Sequence, residues 1–205
     1  MTYPTRGEVY FAAGRFVMFE TTVDHEEAYR LSSRLRIVRS ETLYRGRVLT
    51  LKLDQIIEPG GVRARRELVV HPGSVVVLPI LTDGRVVLVR QFRYAARRSL
   101  WELVAGSLEP RENVLAAARR ELMEETGYRA RTVRHVLSFY PSPGFLTERM
   151  HLIQARGLTL GQAQPEVDER IKVGCFTRSE LRSMMNAGKI EDGKTLVGLL
   201  MLLRT

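Results

Sequence analysis

Hydrophobic and polar positions change rhythm several times along the chain, and each change marks an element. Over residues 48–57, Leu49, Leu51 and Leu53 alternate with Thr50, Lys52 and Asp54, the period of a half-buried strand. Glu58-Pro59-Gly60-Gly61 breaks that run, and a second strand follows over 65–70. Two further apolar runs, 75–81 and 85–91, are joined by Thr82-Asp83-Gly84, whose Asp-Gly pair predicts a hairpin. Past Ala105 and Gly106 the period becomes helical over 114–126, with Leu115, Ala118 and Leu122 as its inward stripe and Gly127 as its stop. Strands resume over 131–138, 150–155 and 171–176, and two helices over 179–187 and 194–203 close the chain. Residues 1–35 carry neither period, although Asp24 could start a short helix, and they read as an extension.

Composition narrows the picture. A chain of 205 residues that is 44% hydrophobic fills one domain with an accessory segment. No run approaches the ~18 apolar residues a membrane helix needs, so the sequence reads as soluble, without an export signal or a membrane partner. The single cysteine, Cys175, cannot form an internal disulfide, which fits a reducing cytoplasm; beside Val173 and Phe176 it reads as a buried strand thiol. The formal charge of +9 favours anionic partners. The basic residues are spread along the chain without interleaved aromatics, so a phosphorylated small molecule is the stronger reading and nucleic acid the weaker. His71, His135 and His151 are scattered without ligand spacing and read as structural or surface residues.

The chemistry gathers on the helix over 114–126. Glu121 and Glu125 are four apart and share a face, with Glu124 one step round. Like charges at that spacing repel by a few tenths of a kcal/mol, so an isolated helix gains nothing from them. A divalent cation reverses the sign, and carboxylates without histidine or thiolate point to a hard ion, Mg2+ or Mn2+. The bland alternative is a solvated acidic face paired with Arg119 and Arg120. The register of the whole segment weighs against it. Gly106, Glu112, Arg120, Glu121, Leu122, Glu124, Glu125, Gly127 and Tyr128 match every specified position of G-x5-E-x7-R-E-U-x-E-E-x-G-U, where U is a bulky aliphatic or aromatic residue.

That pattern is the Nudix box, and the chain resembles the Nudix hydrolase family. The resemblance implies an α+β fold: an α/β/α sandwich around a mixed sheet over 73–205, with a small N-terminal antiparallel β subdomain over 36–72 and the extension over 1–35. It implies that Glu121 and Glu125 are the principal metal ligands and catalytic carboxylates, and that Glu124 and the Ala105 carbonyl are further ligands. Glu112 and Arg120 would lock loop to helix, and Gly106 and Gly127 would let the backbone turn.

Flanking sequence resembles the ADP-ribose pyrophosphatase branch: Gln91-Phe92-Arg93-Tyr94 before the box, Trp101-Glu102-Leu103-Val104-Ala105-Gly106 running into it, Pro143 sixteen residues after Gly127, and Gly188 to Thr195 as a closing signature. Val104 departs from the proline usual there. The branch implies hydrolysis of ADP-ribose to AMP and ribose 5-phosphate. Arg66 and Arg93 would contact phosphate, Glu102 and Glu148 ribose hydroxyls, and Glu169 or, second, Glu166 would serve as the base on a loop after the box. It also implies a homodimer sharing its sites through the segment 36–70. Alternatives in view are a Nudix enzyme for a nucleotide sugar, NADH or a diadenosine polyphosphate, a basic-surfaced enzyme that processes RNA ends, and a non-catalytic ADP-ribose sensor. The complete glutamate set and the lack of a helix-turn-helix segment speak against the sensor.

Overall fold

The computed structural model describes residues 34–161 and 171–204 in full, and two strands nearer the N-terminus by their backbone. Those strands, β1 (Val9–Ala12) and β2 (Arg15–Met18), pair antiparallel. The extension read over 1–35 therefore contains a pair of strands; four-residue strands give too few alternations to register as a period. The helix considered from Asp24 lies outside the described residues.

The chain divides into two compact units, residues 1–42 with 53–67, and residues 43–52 with 68–205. Strands β3 (Arg36–Arg45), β4 (Thr50–Ile57) and β5 (Arg63–Val70) make a three-stranded sheet in that order. Strand β4 is half-buried over its first half and alternates over its second, where Asp54 and Ile56 are buried and Gln55 is exposed. Alternation fixes that two faces exist, and the fold decides which is covered.

The larger unit continues with β6 (Ser74–Pro79), β7 (Val86–Arg93), β8 (Arg98–Glu102), β9 (Val104–Ser107), α1 (Val114–Thr126), β10 (Tyr128–Phe139), β11 (Met150–Leu160), β12 (Lys172–Phe176), α2 (Arg178–Asn186) and α3 (Gly193–Leu203). One sheet runs β10-β11-β6-β9 and is mixed, because β11 and β6 pair parallel while its other pairs are antiparallel. The other runs β12-β7-β8 and is antiparallel. The hairpin expected between β6 and β7 is thus only a turn. An Ile80 to Val86 bridge and the bond from Leu81 N–H to Arg85 O close it, and then the strands part into different sheets. Asp-Gly sets a local reversal, but both edges of β6 are already taken by β11 and β9.

Strand β6 is buried on both sides, and its pleat deals alternate valines to two cores. Val76 and Leu78 pack with Leu88, Leu103 and Leu152 under Leu181 of α2 and Leu199 and Leu202 of α3. Val75 and Val77 pack with Val104 and Ile153 under Ala117, Ala118 and Leu122 of α1. One helix covers one face and two cover the other, which is the α/β/α sandwich. Ala117 takes the inward place expected of Leu115, which is exposed. Angular position fixes a face of a helix but not how far along its axis the sheet reaches. Cys175 is half-buried rather than buried, on a strand whose Val173 is exposed. Among the described residues no helix is long and apolar enough to cross a membrane.

Candidate active site on the carboxylate helix

Helix α1 is held at both ends. The Asn113 side chain accepts from Leu115 N–H at 2.9 Å, and Gly127 adopts the left-handed conformation (φ 74°) and sends its N–H to Met123 O at 2.8 Å. The loop that enters it makes a tight turn, in which Glu112 N–H donates to Glu109 O at 3.0 Å. Pro110 suits the first central position of that turn. Arg111 occupies the second with φ 66°, a conformation that costs a non-glycine residue about 1 kcal/mol or more. The strained turn delivers Glu112 to the helix.

Arg120 receives it. Its Nε and Nη2 donate to the two oxygens of Glu112, both at 2.9 Å, and Nη2 also reaches the Ser107 carbonyl at 3.2 Å. Nη1 lies between Glu121 Oε1 at 2.7 Å and Glu124 Oε2 at 3.0 Å. One guanidinium therefore ties the loop to α1 and bridges two of the helix carboxylates. The Arg120 hydrogen bonds hold the Glu112 carboxyl below its usual range, and Glu112 in turn raises Arg120 above its own.

Glu121 lies directly over Gly106 of β9: a Cβ built on that glycine would stand 1.9 Å from Glu121 Oε1. Only glycine lets the carboxylate settle on the strand backbone. Glu125 is buried at 5% exposure one turn further on, while the Glu124 side chain remains 39% exposed. Among the described residues no three acidic, histidine or cysteine side chains stand close enough, as placed, to hold a metal. The donor chemistry nevertheless fits a hard divalent ion. The candidate ligands are all oxygens, Glu121 sits in a cradle that a Cβ would fill, and a cation, the Arg120 guanidinium, already bridges two of them.

The flanking candidates are less uniform. Glu102 is 1% exposed and accepts from Arg93 Nε and Nη2 at 2.8 and 2.7 Å and from Lys194 Nζ at 2.5 Å. Glu102, the candidate acceptor for a ribose hydroxyl, is thus nearly buried, and both its oxygens accept from these two cations. Burial works to raise the Glu102 pKa, but the bonds from Arg93 and Lys194 outweigh it and the net direction is down. Arg93 is raised, first by its bonds to Glu102, with the charge of Glu125 adding to the effect. Glu148 accepts from Ser74 Oγ at 2.7 Å and lies 3.7 Å from His71 Nδ1. His71 Nδ1 already accepts from Gly73 N–H at 3.1 Å, so the proton of a neutral ring belongs on Nε2, which faces Ser107 Oγ at 3.4 Å. Arg66 pairs with Glu58 within the smaller unit. Glu166 and Glu169 lie outside the described residues.

The histidines are not all scattered. Ser138 Oγ is 2.8 Å from both His135 Nε2 and His151 Nδ1, since β10 and β11 set Ser138 and His151 opposite one another. Burial lowers the His151 pKa, helped by Arg149 and His135. Sequence reasoning also missed Asp192, Lys194 and Thr195 as partners of the Glu102 cluster, although an Asp three residues before a Thr at the start of a helical run is a capping signal.

Comparison with known proteins bears on the family and the fold. A NUDIX domain model matches residues 70–196. The chain is 34% identical over 162 residues to an ADP-ribose pyrophosphatase of Bacillus subtilis (strain 168), covering 78% of this chain and 88% of that protein. It is 35% identical over 164 residues to a methanol dehydrogenase activator of Bacillus methanolicus, covering 79% and 89%. The crystal structure of an ADP compounds hydrolase superposes with a TM-score of 0.73 over 83% of this chain and 93% of that one; at 21% identity the likeness speaks to fold.

Proposed function

The chain belongs to the NUDIX family, and from that premise we propose that it hydrolyses the diphosphate bond of ADP-ribose, giving AMP and ribose 5-phosphate, with Mg2+ or Mn2+ as cofactor. The observation that carries the reading is the seating of Glu121 on Gly106 beside Glu124 and Glu125, at the junction of β9 and α1. The similarity to an ADP-ribose pyrophosphatase over most of both chains supports the substrate.

Glu121, Glu124, Glu125 and the Ala105 carbonyl would hold the ion. Bound there, a divalent cation would offset diphosphate charge and lower the pKa of a coordinated water. Arg120 keeps Glu121 and Glu124 close together despite their like charge, so an ion competes with its guanidinium for the same oxygens. Arg93 offers its remaining donors to a phosphate, since Glu102 takes only two of the five guanidinium N–H groups. Glu148, oriented by Ser74, is the acceptor proposed for a ribose hydroxyl, and Glu169 or Glu166 the base that takes the proton of water.

A cytoplasmic homodimer completes the proposal, with Arg66 contributing across the dimer. The exposed apolar side chains Ile37, Val38, Leu43, Tyr44 and Val62 support association through the β3 to β5 sheet.

The test is a substrate panel with Mg2+ or Mn2+ that includes ADP-ribose, a nucleotide sugar, NADH and a diadenosine polyphosphate, scored for AMP release. ADP-ribose ranks first; a panel in which it ranks far below the others overturns the substrate. In parallel, Mn2+ added without substrate raises the wild-type Tm and leaves that of Glu121→Gln with Glu125→Gln unmoved. Equal shifts in both proteins would place the ion elsewhere.

A further inference from the structure

A closed hydrogen-bonded circuit joins the start of α3 to the junction of β8 and β9. Leu103 N–H donates to Thr195 Oγ1 at 2.7 Å, and that hydroxyl donates to Asp192 Oδ2 at 2.6 Å. Asp192 Oδ1 accepts from Lys194 Nζ at 2.9 Å, and Lys194 reaches back to Glu102, the residue before Leu103, at 2.5 Å. Asp192 also caps α3 through Thr195 N–H at 3.0 Å. Thr195 is fully buried, Glu102 nearly so, and the Lys194 side chain is 10% exposed.

Within this ring Lys194 is largely withdrawn from water, and its charge is met by two carboxylates. Of the four charged groups in the cluster, only Arg93 reaches outward: its side chain is 41% exposed, and its fork is fixed by both Glu102 oxygens. A carboxylate that holds an arginine in a bidentate pair can itself swing about its terminal torsion unless something pins it. Lys194 pins Glu102, and Asp192 pins Lys194.

We propose that Lys194, held by Asp192, is a positioning residue that acts through Glu102 to aim Arg93 at the substrate diphosphate. The inference rests on the proposed hydrolysis for the identity of the anion. Its own content is that a helix start 92 residues beyond Glu102 in sequence sets the direction of one phosphate-binding side chain. A merely structural Lys194 would change stability alone; a positioning Lys194 also changes affinity for a diphosphate through Arg93.

Lys194→Met, Lys194→Arg, Arg93→Met and the double Lys194→Met/Arg93→Met variant separate these. Steady-state constants for ADP-ribose are measured together with metal-free binding of ADP by calorimetry and the Tm of each protein. Lys194→Met raises KM and weakens ADP binding roughly tenfold, with kcat held within about threefold, and Lys194→Arg restores most of the loss. The double variant binds ADP no more weakly than Arg93→Met alone, because the two residues act in series. Unchanged KM and ADP affinity in Lys194→Met, losses that multiply in the double variant, or wild-type ADP affinity in Arg93→Met would each overturn the proposal. Should Lys194→Met fail to fold, Asp192→Asn carries the test: about threefold weaker ADP binding supports the proposal and unchanged binding overturns it. A wild-type protein that binds ADP through Arg93 yet leaves ADP-ribose uncut sinks the hydrolysis and leaves the positioning role standing.

Discussion

Glu102, just before β9, and Arg120, on the helix after it, each anchor a cluster of acids and bases, and the two are built on opposite principles. Around Glu102, two carboxylates meet two cations, and every carboxylate oxygen of Glu102 and Asp192 accepts a hydrogen bond. The cluster is balanced in charge and mostly sunk in the fold, and only Arg93 reaches out of it. Around Arg120, one guanidinium serves Glu112, Glu121 and Glu124, with Glu125 buried a turn away. This second cluster is short of positive charge and partly open to water. Burial at low dielectric demands balance, so the first arrangement suits a joint that holds one outward arginine in place. A surplus of converging carboxylates has no stabilising use unless a cation arrives, so the second suits a site.

The contrast breaks first at Glu121. Glu121→Gln lowers turnover by about a thousandfold or more, roughly 4 kcal/mol of barrier, while the Tm stays level or rises as like charges are relieved. Steady-state rates beside a thermal melt decide it, and wild-type turnover would show that the surplus of charge is idle. Glu102→Gln does the reverse at the other cluster: it leaves Lys194 and Arg93 short of their shared anion and costs about 3 kcal/mol of folding stability, read from the denaturant midpoint. A change under about 0.5 kcal/mol there would mean that the joint is ornamental.

The smallest effect sharpens the comparison through pH. The Glu112 carboxyl is depressed in the folded protein by its bonds to Arg120, so its contribution is present above the ordinary glutamate value of about 4.3 and fades as pH falls through the lower folded value. Glu112→Gln therefore costs about 1 kcal/mol near neutrality, and its gap from wild type closes on acidification below pH ~4. Urea melts across that range test the sign; a gap that widens toward acid contradicts the pairing.

Much of this was legible in residue order alone, and the reason differs from element to element. Helix α1 spans the range its period gave, 114–126, because the helical rhythm and the Gly127 stop are local signals. The box glutamates were legible because their register along one helix is itself the geometry. The Glu102 cluster was not: its two halves are 92 residues apart, and nothing in the neighbourhood of Glu102 announces a lysine from the last helix. Ser138 between His135 and His151 stayed hidden for the same reason, since cross-strand neighbours depend on register that sequence spacing does not fix. The parting of β6 from β7 escaped because turn chemistry governs four residues and says nothing about which strands claim the edges beyond them.

Strand β6 acts as a party wall. Val75 and Val76 are chain neighbours, yet one belongs to the room beneath the carboxylate helix and the other to the room beneath the two C-terminal helices. Repacking that begins in either room meets a sheet of valines before it meets the other. The chain can therefore accumulate changes beneath α2 and α3 that adjust its durability, while the spacing between Gly106 and Glu121 stays as it was.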